Sequence, residues 1–337
     1  MTAPRRLLTA LCALVPAVTL AVVASASPAR AASPPYVALG DSYSSGVGTR
    51  SYISDGTSCQ RSVYAYPSLI AAQRGYTLDF RACSGATVAD VTNKQLSALT
   101  ASTRYVTISV GGNDAGFADV LTECALPGWA SNCNGAINNA QAIINNTLPG
   151  RLSTLYASIR SRASVATVVV VGYPRIFNGE DCNALTWFSP TEESRLNQTA
   201  DLLNSKLSAA AAARGFAFAN PTSRFVGHAV CDSPEWLNGL SNPVSESYHP
   251  NRTGHSSGYA PLVSPLLVGA PARISAAVLA RAAGSAATLA AQQRQYAAID
   301  RTIAPERFGV PDLRSPRVRA AARAHDIDLD RWIARHT

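Results

Sequence analysis

Four valines in a row, Val168 to Val171, constrain this chain more than any other feature. A strand with one face in water alternates apolar and polar residues. β-Branched residues at every position instead suit a strand covered on both faces, as in parallel sheets flanked by helices. Four further runs carry a strand signal: Tyr36–Leu39, Thr77–Ala82, Tyr105–Val110 and Phe216–Ala219. Helical patterns lie between them, near Val63–Arg74, over Ala140–Arg162, and after Ser189. At that last site Ser189 as N-cap, Pro190 and Glu192 spell a capping box, and the helix runs through Ala209–Ala213 to Gly215. The alternation predicts an α/β fold with a central parallel sheet.

Residues 1–31 have the layout of a secretory signal, with Arg5 and Arg6, an apolar stretch from Leu7 to Ala24, and a small-x-small site at Ala29-Arg30-Ala31. Pro16 and the cleavage site argue against a membrane anchor, so a secreted protein without a transmembrane segment is expected. Hydrophobic residues make up 47% and charged residues 15%, which excludes a disordered chain. The formal charge of +8 falls by three with Arg5, Arg6 and Arg30, and +5 is too weak and scattered for nucleic acid. Of seven cysteines, Cys12 leaves with the signal. The remaining six, Cys59, Cys83, Cys124, Cys133, Cys182 and Cys231, suggest disulfides in an exported chain, with 15 connectivities open. No C-x-x-C pair occurs, and neither metal nor cofactor is expected.

Beyond about residue 270 the chain turns Ala- and Arg-rich. Its helical pattern is broken by Pro305, Pro311 and Pro316. The expected organisation is a signal at 1–31, a catalytic domain at 32–270 and a helical extension at 271–337. The extension would either pack on the main domain or remain partly mobile.

Three short motifs follow predicted strands, where ligand sites of parallel sheets form. They are Gly40-Asp41-Ser42-Tyr43-Ser44, Cys83-Ser84-Gly85-Ala86-Thr87 and Gly111-Gly112-Asn113-Asp114; a fourth, Glu246-Ser247-Tyr248-His249-Pro250-Asn251, lies about 200 residues after the serine. A serine hydroxyl becomes a nucleophile when a base such as histidine takes its proton. The oxyanion that follows needs fixed N–H donors, which glycine turns and an Asn amide supply. An Asp41/Asp114 carboxylate pair would instead suggest glycoside hydrolysis, but both are better read as loop anchors. An α/β-hydrolase elbow requires glycine where Ser44 stands.

These four motifs in this order resemble the GDSL/SGNH hydrolase family, and within it the exported six-cysteine lipases and esterases of actinobacterial type, over roughly residues 34–265. The resemblance implies a flavodoxin-like three-layer sandwich. It implies Ser42 as nucleophile and oxyanion donor, Gly85 and Asn113 as further donors, and His249 as base. It also implies the pairs Cys59–Cys83, Cys124–Cys133 and Cys182–Cys231. Two departures stand out: Tyr43 replaces the usual leucine, and Glu246 replaces the usual aspartate. Glu246 is a candidate to orient His249, with a backbone carbonyl near Ser247 or Trp236 as the other option. His228, His255, His325 and His336 lack the Ser-x-His-Pro setting.

The expected activity is hydrolysis of lipid esters (triacylglycerols and simple fatty acyl esters) through an acyl-enzyme on Ser42. Alternatives are a phospholipase, a sugar-ester deacetylase, or an inactive secreted binding protein. Trp129, Trp187, Phe188, Phe225, Trp236 and Leu237 are candidates for an acyl pocket or for core edges, and residues 115–135 for a mobile cover. The expected partners are an ester or lipid substrate and a transient lipid interface, with the protein a monomer.

Overall fold

The computed structural model describes residues 1–3 and 33–337. The predicted signal sequence therefore lies outside the described residues, apart from its first three. Residues 33–337 form one compact unit.

Five strands build an all-parallel sheet: β1 Pro35–Gly40, β2 Thr77–Phe80, β3 Tyr105–Ser109, β4 Thr167–Val171 and β5 Ala217–Ala219, in the order β2-β1-β3-β4-β5. This is the flavodoxin-like order, in which the chain steps from β1 to one side and then returns to the other. The crevice opens at the carboxyl ends of β1 and β3. All four valines, alternating between the two faces of β4, are buried, so both faces of the sheet are covered.

The helix predicted over Ala140–Arg162 is in fact two, Cys133–Asn146 and Leu148–Arg162. Pro149 explains the break. It has no N–H for the preceding turn and its ring clashes with that turn, but it fits the start of a new helix. The capping box at Ser189 is present, with Ser189 and Glu192 bonding each other's backbone N–H, and starts the helix Pro190–Ala212. The three disulfides pair Cys59 with Cys83, Cys124 with Cys133 and Cys182 with Cys231.

Past residue 270 the chain forms helices Ala276–Gly284, Ala286–Arg294, Ala297–Asp300, Pro316–Ala324 and Leu329–His336. Helix Ala286–Arg294 covers the β2 edge, where Gln293 Nε2 donates to Asp79 Oδ1 at 3.0 Å. Covering an exposed edge strand removes a template for unwanted pairing. Arg61 and Arg81 both reach Asp300 from this side, at 2.6 and 2.8 Å, with all three side chains fully buried. Arg61 also pairs with Asp55 at 2.6 Å, and Arg81 stacks on the Tyr296 ring. Between Asp300 and Pro316 the chain has no helix or strand.

Candidate active site

The site begins where β1 ends. Gly40 has φ +118°, and a Cβ there would stand 2.1 Å from the Ser109 carbonyl oxygen, so only glycine lets β1 turn this close to β3. Asp41 then locks the turn. Its carboxylate accepts from the Tyr43 N–H at 3.1 Å and the Ser109 hydroxyl at 2.7 Å, and also from the Tyr173 hydroxyl. Burial pushes the Asp41 carboxyl up to about 7 against the pull of these hydrogen bonds, and the nearby Glu306 charge adds to the rise. Ser42 follows at the start of a four-residue helix, with 1% of its surface exposed.

His249 reaches the same crevice from a loop. The residue before it, Tyr248, has φ +59°, a conformation costly for a bulky side chain. It is held there from several sides: its ring packs on Phe177, Phe188 and Phe308, and its carbonyl accepts from the Tyr43 hydroxyl at 2.8 Å. Tyr43, which replaces the leucine of the resemblance, thus ties the serine turn to the histidine loop. Its ring also lies 5.2 Å from the imidazole, and Phe117 stands edge-on to both rings.

Nδ1 of His249 donates to the Ser247 carbonyl at 2.8 Å. This corrects the expectation for Glu246, whose carboxylate accepts from the Tyr52 hydroxyl and makes no ion pair with His249. Two residues N-terminal to the histidine, a backbone carbonyl already points along the ring plane, while the glutamate is turned toward the loop of Tyr52. The Trp236 carbonyl accepts from Asn251 N–H instead.

Gly85 and Asn113 stand at the ends of the neighbouring turns. Gly85 has φ +82°, and neither its N–H nor that of Ser42 meets an acceptor among the described residues. The Asn113 amide donates one hydrogen to the Ala86 carbonyl at 3.2 Å, which aims the side chain. Asp114 anchors its loop through Val88 N–H at 2.8 Å and Arg151 at 3.1 Å. All four motifs are thus at the carboxyl end of the sheet.

The aromatic candidates pack into the core and its edges, Phe188 against Tyr248 beside the histidine. Trp129 and Trp187 pack on Trp332 of the last helix, each at 5.4 Å, and Phe225 meets Trp236 edge-on. Phe188 and Leu237 are buried. His228 stacks on Trp236, and buried His255 accepts from Tyr66 N–H, burial holding its imidazole down to about 3.

One residue of the site carried no sequence signal beyond proline spacing in the tail. Glu306 Oε2 accepts from the Ser42 hydroxyl at 2.7 Å and lies 3.2 Å from His249 Nε2. Burial pulls the His249 imidazole down. The Glu306 charge and hydrogen bond, the Ser247 carbonyl and the Asp41 charge together outweigh it and lift it above its ordinary value.

A family model described as GDSL-like Lipase/Acylhydrolase matches residues 38–256. Lipase 1 of Streptomyces coelicolor is 45% identical over 251 residues, 72% of this chain and 92% of that protein. The crystal structure of an extracellular lipase from Streptomyces rimosus aligns with TM-score 0.66 and 44% identity, over 69% of this chain and 100% of that one. Phospholipase A1 from Streptomyces albidoflavus aligns with TM-score 0.65 and 46% identity, over 69% and 98%. These relatives are matched nearly whole, while the family match stops before the helices that begin at Ala276.

Proposed function

The chain belongs to the GDSL-like lipase/acylhydrolase family, and from that premise we propose that it hydrolyses lipid esters by an acyl-enzyme mechanism on Ser42. That it is a carboxylic ester hydrolase follows from the family and from relatives that are lipases.

Substrate would bind with its carbonyl carbon over Ser42 Oγ and its carbonyl oxygen toward the Ser42 and Gly85 N–H groups and the Asn113 amide. With Nδ1 committed to the Ser247 carbonyl, the free tautomer presents Nε2 as an acceptor. It takes the serine proton as Oγ attacks and returns it to the leaving alcohol. Water then repeats the cycle on the acyl-enzyme and releases the acid. The observation that carries this reading is one oxygen within hydrogen-bond reach of both Ser42 Oγ and His249 Nε2. A single substrate atom can therefore address nucleophile and base together.

The Phe117 ring borders a cavity of about 310 Å³ that also meets Gly85, Thr87, Asn113 and residues 304–307, and we assign the acyl chain to its wall of Gly85, Thr87, Asn113 and Phe117. The relatives named lipase and phospholipase A1 favour fatty acyl esters over sugar esters. In the same reading the protein is exported and monomeric and touches a lipid interface only during turnover. Residues 32–270 are the catalytic domain and 271–337 an appendage. Among the described residues no helix is long and apolar enough to cross a membrane.

Asn113→Ala should lower kcat by about 10²–10³-fold on p-nitrophenyl butyrate, with KM changed little, because the lost donor serves charge that develops only in the transition state. A loss of less than threefold would remove Asn113 from the oxyanion hole. Rates on butyrate, emulsified long-chain triacylglycerol, phospholipid and acetylated xylan decide the substrate class. Turnover of acetylated sugar alone would overturn the lipid reading.

The pH profile follows from the imidazole. Histidine must be neutral to act as base, and Glu306 favours its protonated form. The rising limb of kcat/KM for the full chain therefore lies above the ordinary histidine range of about 6.5. The Asp41 charge also raises the imidazole, its own carboxyl being pushed up to about 7, while His255 stays neutral. Glu306→Gln removes one negative neighbour, lowers the imidazole pKa and moves the limb to lower pH. An unmoved limb would mean that Glu306 does not touch His249 in solution.

A further inference from the structure

Glu306 belongs to neither the nucleophile nor the base, and it sits on the face of the imidazole that a general base needs free. An orienting acid would bond Nδ1, yet that nitrogen is already held by Ser247 O. Glu306 instead stands between Ser42 Oγ and Nε2, so it accepts the serine proton's hydrogen bond in place of the histidine. A carboxylate on one side and a carbonyl on the other also present acceptors to both ring nitrogens, the environment of an imidazolium, which cannot take a proton.

The backbone of the same segment fills the adjoining space. A Cβ on Gly85 would fall 1.9 Å from the Ala304 carbonyl oxygen and 2.7 Å from the Glu306 nitrogen, so residues 304–306 press on the very turn that carries the Gly85 N–H. Pro305 and Arg307 border the cavity assigned above to the acyl chain. An ester carbonyl cannot enter while this stretch is in place.

The stretch is fastened at both ends. Upstream, Ile303 is buried and Asp300 is locked by Arg61 and Arg81. Downstream, Phe308 packs edge-on against Tyr248, Gly309 N–H donates to Thr122 Oγ1 at 2.8 Å, and Arg317 pairs with Glu123. Two fastened ends keep the carboxylate at high effective concentration over the serine.

We propose that residues Ala304–Arg307 are an internal inhibitor of the esterase, with the Glu306 carboxylate standing where the carboxylate of a fatty acid product would lie. The idea rests on the catalytic reading of Ser42 and His249. The match in geometry is chemical: once the product acid has passed its proton to the neutral imidazole, the resulting carboxylate can share one oxygen between the serine hydroxyl and the imidazolium. The enzyme as folded is therefore latent, and it turns over only when this stretch lifts out.

The test compares the full chain with Glu306→Ala and with Pro305→Gly/Glu306→Ser, each checked for an unchanged melting curve. Two readouts are taken: kcat/KM on p-nitrophenyl butyrate, and the rate at which a fluorophosphonate labels Ser42. Both variants should raise both rates by about 10–100-fold, the factor expected when charge-assisted hydrogen bonds that hold the closed state are lost. Equal rates in all three proteins, with Ser42→Ala inactive, would overturn the inhibitor and leave the esterase reading standing. If none of the three hydrolysed any ester or took the label, the esterase reading would fall, and the inhibitor with it.

Discussion

Ser42→Ala should reduce hydrolysis of p-nitrophenyl butyrate by about 10⁴-fold or more, in the full chain and equally in the Glu306→Ala background. Removing a nucleophile leaves only what binding and the oxyanion donors give, and elsewhere such losses reach roughly 10⁴–10⁶-fold. The second background matters because it measures the loss against an unobstructed cleft. The fold should be unaffected. Among the described residues the Ser42 hydroxyl bonds Glu306 alone, and the turn is held by Asp41, Ser109 and Tyr173 instead. Retention of more than about 1% of activity by a correctly folded Ser42→Ala protein would move the nucleophile elsewhere.

The largest expected loss of stability comes from Asp300→Ala. It would leave two fully buried guanidinium groups without the carboxylate they share. Removing one partner of a buried ion pair costs about 3–5 kcal/mol, since the remaining charge is stranded away from water. Arg61 keeps Asp55 and the Ala82 carbonyl, and Arg81 keeps Gln293 and the Lys94 carbonyl, which places the cost toward the lower end. A fall in Tm of roughly 10 °C should accompany it. A shift under about 2 °C would show that helix Ala297–Asp300 is not docked on Arg61 and Arg81 in solution.

The sheet was readable because burial on both faces leaves an unbroken apolar run, as in β4, and because its strands end in turns of unusual composition. Gly40, Gly85 and the Gly111-Gly112 pair announced where the backbone bends at the carboxyl ends. The misread helix over Ala140–Arg162 shows the opposite case. Periodicity runs smoothly through Thr147, and only the steric demand of Pro149 divides it. For the site, residue type and order sufficed for Ser42, Gly85, Asn113 and His249 as candidates. Glu246 could not be judged, because which of two neighbouring acceptors faces Nδ1 depends on a loop whose path is set by Tyr248 at positive φ. Glu306 was invisible for a different reason. Its meaning lies entirely in what it touches, 264 residues from Ser42. Nothing in Ala304-Pro305-Glu306-Arg307 differs from an ordinary loop.

The Cys59–Cys83 bond has a bearing on how such a cleft opens. Arg61 lies two residues after the first cysteine and Arg81 two before the second, so the crosslink holds two like charges side by side inside the molecule. Asp300 is the counterweight both of them lean on, which makes the helices up to that point part of the permanent masonry. Whatever admits a substrate would then leave those helices seated and swing only the irregular span before Pro316, like a drawbridge whose winch house stays on the bank.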